Sequence, residues 1–86
     1  MRIPVCANGH AVFPARALCP HCGSREWTER ETGGVVEELT EREGVRIASV
    51  RTDLGPIVIA RVSGDVACGA AAALEADGGV PVARKP

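Results

Sequence analysis

The chain's thiol and imidazole donors are four cysteines and two histidines, and three of those cysteines crowd with both histidines between residues 6 and 22. In Cys19-Pro20-His21-Cys22-Gly23 two thiols are separated by two residues and followed by a glycine. With this spacing a tight turn grips one ion through two thiolates. Gly23 supplies the backbone freedom that lets amides point at sulfur. Upstream, Cys6-Ala7-Asn8-Gly9-His10 holds one cysteine and a histidine four positions on. Asn8-Gly9 is a turn signal, so His10 can swing back toward Cys6. The expected site is therefore tetrahedral, a structural zinc ion held by Cys6, His10, Cys19 and Cys22. His21 and Cys68 are the rivals for the fourth position. A closed set of this kind leaves no place for water and points to architecture over hydrolysis. Cys68 has no assignable histidine or carboxylate partner and reads as a small buried residue.

The rest of the composition narrows the classes. A chain of 86 residues buries only a modest core, and domains this small draw on a metal, disulfides or a partner subunit. Ten basic and eleven acidic side chains leave a net charge of −1. No positive field is present to attract phosphate backbones. Phe13 and Trp27 are the only aromatic residues besides the histidines, so there are no platforms for stacking bases. These points disfavour nucleic acid as a partner, although zinc ribbons and barrels of the kind described below also occur in nucleic-acid modules; steeply salt-dependent binding to a single strand would reveal one. An iron-bearing, rubredoxin-like electron carrier is the other alternative. It needs Cys68 to complete four thiolates, and it would be coloured. The opening MRIPVCANGH does not resemble a signal peptide, and no stretch approaches the roughly 20 apolar residues of a spanning helix. The expectation is a cytoplasmic protein without membrane contact, in a compartment where clustered cysteines bind metal instead of forming disulfides.

The donors must be positioned by short elements. Residues 11–18 read as a loop between two metal-binding turns, and Arg25 to Glu31 as a strand whose Trp27 covers the metal turn. Thr32-Gly33-Gly34 breaks the pattern, dividing a ribbon at residues 1–31 from a body at residues 32–86. The body reads as all β. GVVEELTERE carries valine and threonine among charges, VRIASVR alternates, and PIVIARVS is nearly continuous apolar, as in a strand buried on both faces. Glu43-Gly44, Asp53-Leu54-Gly55-Pro56 and Ser63-Gly64-Asp65 are the turns. AAAALEA has helix-forming residues but lies between Gly69 and Asp77-Gly78-Gly79, and is read as a fourth strand before an extended VPVA. About five short strands after Gly33 are the number of a small Greek-key barrel of the OB type. The acidic residues between Glu26 and Glu43 read as a solvated strand face, with a docking edge for a basic partner as the alternative.

The order of these parts, with FPARALCPHCGS, Trp27, GGVVEELT and LGPIVIARVSGDV, resembles the zinc-ribbon and OB-fold proteins associated with acyl-CoA enzymes, a family formerly called domain of unknown function thirty-five. The resemblance implies a mainly β fold, an N-terminal rubredoxin-like zinc ribbon followed by a small OB-fold-like barrel. It also implies a non-catalytic accessory subunit that binds a thiolase-like or other acyl-CoA-processing enzyme and helps to hold a CoA thioester. Arg16 would then be the residue to pair with a CoA phosphate, since arginine forks suit phosphate oxygens. Two features depart from the family. The usual first cysteine pair is reduced to Cys6 with His10, and Glu41-Arg42-Glu43-Gly44 is a tight connection where the family has a long loop. So abbreviated a barrel implies a shallow groove, and scaffolding is the safer expectation.

Overall fold

A computed structural model describes all residues, 1–86, as two β assemblies joined end to end. Strands β1 (Arg2–Cys6) and β2 (Trp27–Glu31) pair as a two-stranded ribbon. Strands β3 (Gly34–Arg42), β4 (Val45–Thr52), β5 (Ile57–Ser63), β6 (Ala71–Asp77) and β7 (Val80–Arg84) close into a barrel in the order β3-β4-β5-β7-β6, with β3 returning to β6. A three-strand meander, one parallel contact between β5 and β7 and closure through the first strand make this the OB-type barrel. AAAALEA is a strand, as its flanking glycines imply: Gly78 and Gly79 both take positive φ and form the two-residue turn into β7. Glu43 and Gly44 do the same between β3 and β4.

The barrel interior holds Val36, Ala48, Val50, Ala60, Val66, Ala72, Leu74 and Ala83. Four of these eight are alanines, so the strands come close and small side chains fill the centre. Closure is tightest at Gly34, where β3 meets both Thr52 of β4 and Ala72 of β6. A Cβ there would stand 2.2 Å from the Arg51 carbonyl oxygen, so only glycine fits. Glu37 is an extra residue between Val36 and Glu38 in the β3–β4 register, a bulge that bends β3 from one partner toward the other.

One strand differs from expectation. PIVIARVS is not buried on both faces: Val58 and Ala60 point inward, whereas Ile57 and Ile59 are exposed. No second layer covers the barrel on that side, so the strand alternates despite its apolar composition.

Ribbon and barrel are tied at the joint. The Thr32 N–H donates to the Met1 carbonyl at 2.9 Å, and the Asp53 N–H to the Gly33 carbonyl at 3.0 Å. The Met1 amino group donates to the Leu74 carbonyl of β6 and forms an ion pair with Glu31 at 2.6 Å. That ammonium holds the Glu31 carboxyl below its usual range. Thr32 and Ile3 are buried beside these bonds.

Candidate metal centre

Two turns bring the donors together. At the first, the Gly9 N–H donates to the Cys6 carbonyl and the Cys6 N–H to the His10 carbonyl, each at 2.9 Å, with Gly9 at φ 87°. The chain thus reverses within five residues and sets His10 over Cys6, its own N–H 3.4 Å from the Cys6 sulfur. At the second turn the Cys19 N–H donates to Ser24 at 2.9 Å and the Gly23 N–H to Cys19 at 2.8 Å, with Gly23 at φ 74°. Val12, buried, and the half-buried Trp27 pack against Cys6 and Cys19. Trp27 does cover the turn, and its indole N–H donates to the Ala17 carbonyl at 3.2 Å, pinning the connecting loop.

The Sγ atoms of Cys6, Cys19 and Cys22 and one ring nitrogen of His10 all lie within 4.8 Å of one another. Zinc bonds of about 2.3 Å to sulfur and 2.05 Å to nitrogen give a tetrahedron whose S···S edges are about 3.8 Å and S···N edges about 3.6 Å. The Cys6 and Cys22 sulfurs are 3.7 Å apart, and His10 Nδ1 stands 3.4 Å from Cys6 and 3.7 Å from Cys19. Donor chemistry and spacing both fit a structural zinc ion, which His10 would bind through Nδ1. Four protein donors fill the coordination sphere, so the centre offers no position for a substrate.

His21 and Cys68 lie outside this group. The His21 ring is tilted beside that of His10 at a centroid distance of 5.1 Å. Cys68 sits on the barrel, where its thiol donates to the Glu37 carbonyl at the bulge. It is exposed, contrary to the expectation of a buried residue, in the loop before β6, whose Gly69 and Ala70 bond to the Val36 backbone of β3.

The electrostatics favour a cation. The Asn8 side-chain amide donates to the Cys22 sulfur at 3.3 Å and, with the Ser24 backbone, draws that thiol down to about 6. Burial pushes the Cys19 thiol up. At Cys6 burial also acts upward, but the His10 and Asn8 amides outweigh it and the net shift is downward. Hydrogen bonds to Cys22 and Cys6 raise His10. Without an ion the cluster thus retains a proton that zinc must displace, so metal loading releases protons and weakens as pH falls. Sequence reasoning read Asn8 only as a turn residue and missed its hydrogen bond to the Cys22 sulfur. Its signal was a polar side chain inside the turn between Cys6 and His10.

Arg16 stands away from the metal. It lines a cleft of about 380 Å³ between the ribbon loop and the β4–β5 turn, with Phe13, His21, Leu54 and Pro56. No acidic residue lines this cleft, and Arg16 has no ion-pair partner.

A two-turn metal ribbon on an OB-type barrel defines the class: a zinc-ribbon and OB-fold protein. Residues 2–28 match the model of the ChsH2 rubredoxin-like zinc ribbon domain. A DUF35 domain-containing scaffold protein of Pyrococcus furiosus is 31% identical over 70 residues, 67% of this chain and 52% of the relative. The chain therefore spans about half the length of that relative. The solved structure of the Ltp2-ChsH2(DUF35) aldolase superposes with a TM-score of 0.72 over 98% of this chain and 83% of the matched chain, at 24% identity, a likeness of fold. The chain belongs to the DUF35 family.

Proposed function

We propose that this chain is a non-catalytic scaffold subunit that binds an acyl-CoA-processing enzyme of the thiolase-like kind. The observation that carries this reading is the fold similarity over nearly the whole chain to a DUF35 chain in an aldolase assembly, together with a relative described as a scaffold protein. The chain's own residues agree with it. The metal ligands proposed here, Cys6, His10, Cys19 and Cys22, form a closed set, so the ion stabilises the ribbon and takes no part in chemistry. The barrel centre is filled by small side chains, which directs any ligand to the outer surface. The Arg16 cleft is the place on that surface where a CoA phosphate would meet an unpaired guanidinium.

Native mass spectrometry of the protein drawn gently from its own host tests the reading. One zinc together with a much larger acyl-CoA enzyme is the expected mass. A zinc-bearing monomer alone, under conditions that preserve other complexes, would overturn it. Within a recovered complex, Arg16→Glu is expected to raise KM for the acyl-CoA substrate with kcat little changed. An unchanged KM would remove Arg16 from the site.

A further inference from the structure

The Arg16 cleft is assembled from two halves. Six of its nine lining residues, among them Phe13, Arg16 and His21, fall in the stretch between His10 and Cys22, so the metal-binding turns themselves carry them. The other three, Leu54, Gly55 and Pro56, belong to the turn between β4 and β5. That turn is held by the barrel alone. The buried Thr52 donates to the Pro56 carbonyl through its hydroxyl at 2.7 Å and its N–H at 3.0 Å, and the Gly55 N–H donates to the Thr52 carbonyl at 3.1 Å. The ribbon half has scattered ties: the Val12 N–H to the Pro4 carbonyl at 3.0 Å, the Trp27 indole to Ala17, and the Gly23 N–H closing the turn around His21 onto Cys19. With so few buried side chains to support it, this half keeps its shape through coordination. One wall of the cleft is therefore permanent, and the other stands when metal is bound.

The donors of the cleft define what it takes. Arg16 is the one formally charged residue in its lining, is free of any ion pair, and shares the cleft with no carboxylate. His21 adds a ring N–H, which even a neutral imidazole keeps. A guanidinium fork engages two oxygens of an anion in parallel. A phosphate monoester has a third oxygen for the ring N–H, which a carboxylate lacks. Phe13 and Leu54 make much of the remaining lining apolar, a surface for the organic body that carries the phosphate. The volume of about 380 Å³ is near the small end of the roughly 300–1,000 Å³ of ligand pockets, room for a headgroup and not for a long chain.

We propose that this cleft binds the phosphate monoester of an organic ligand through Arg16 and His21, and that this binding and zinc binding strengthen one another because the metal builds one of the two walls. The inference rests on the scaffold reading only for the source of the ligand, the ribose phosphate of an acyl-CoA. Such coupling is reciprocal. A ligand that binds only the metal-loaded ribbon, present at ten times its dissociation constant, tightens apparent zinc affinity about tenfold.

Competition for zinc between the full chain and a chelating dye, with and without acetyl-CoA at about ten times the dissociation constant found by calorimetry, is the test. Zinc retention is expected to tighten about tenfold with acetyl-CoA and to stay unchanged with acetyl-dephospho-CoA, which lacks the ribose phosphate. Arg16→Glu and His21→Ala are expected to hold zinc as the unaltered chain does without ligand, and to lose the tenfold gain. Leu54→Glu, on the barrel wall and outside the metal turns, should lose it as well. Binding of acetyl-CoA at unchanged zinc affinity overturns the coupling. An equal gain from the dephospho compound, or in Arg16→Glu, overturns the cleft as the phosphate site. Absence of any binding overturns both, and each of these failures leaves the scaffold reading to the mass of the recovered complex, a separate measurement.

Discussion

The ribbon and the barrel are both built from short, mostly antiparallel strands, yet different physics holds them. The barrel buries eight side chains in one cluster and closes its ladder around them. The ribbon has only Cys6, Val12 and Cys19 buried together with Trp27 packed alongside, and four of the five residues of β2 are exposed. Two of the three buried residues in that cluster are themselves proposed ligands. Coordination thus takes the place of a core where the chain is too short to build a second one. The barrel needs no such substitute, and its cysteine, Cys68, stands outside any donor cluster.

The largest perturbation that separates the two is metal removal. Structural zinc sites contribute on the order of 10 kcal/mol or more, so chelation is expected to free the amides of β1 and β2 and shift Trp27 emission while β3 to β7 stay protected in hydrogen exchange. Loss of protection across the whole chain would break the contrast. A single missing ligand comes next. His10→Ala should lose zinc far more readily than Cys68→Ala by elemental analysis, and equal metal content in both would remove His10 from the ligand set. Within the barrel, Leu74→Ala is expected to cost about 2–5 kcal/mol in denaturant unfolding. Zinc stoichiometry should not change, and metal loss in that variant would show that the two cores are coupled. The smallest effect is at Asn8→Ala. Losing the amide that supports the Cys22 thiolate should lower zinc affinity about 10–100-fold in competition with a chelating dye. In metal-free protein the Cys22 thiol should return toward its ordinary, higher value, so alkylation near neutral pH should slow.

How far these regions could be read from the residues also differs. Cys19-Pro20-His21-Cys22-Gly23 is local, and the turn it encodes is decided within five positions. Asn8-Gly9 likewise announces that His10 returns to Cys6. β6 was legible only from its boundaries, because AAAALEA by itself favours a helix and the glycines on either side limit it to strand length. The exposure of Ile57 and Ile59 was not legible at all. A continuous apolar run implies two covered faces, and only the assembled barrel reveals that nothing covers the outer one. The bulge at Glu37 and the ties at Met1 depend on chain segments distant in sequence, which no local pattern encodes.

Those ties have a mechanical consequence. Residues 32 and 33 are bonded to Met1 on one side and Asp53 on the other, so the ribbon meets the barrel without a swivel. The molecule measures 40 × 21 × 18 Å and is about twice as long as it is wide. Its two ends are therefore held apart by a joint of backbone hydrogen bonds instead of a free linker, which sets the knuckles and the far rim of the barrel at opposite ends of the long axis.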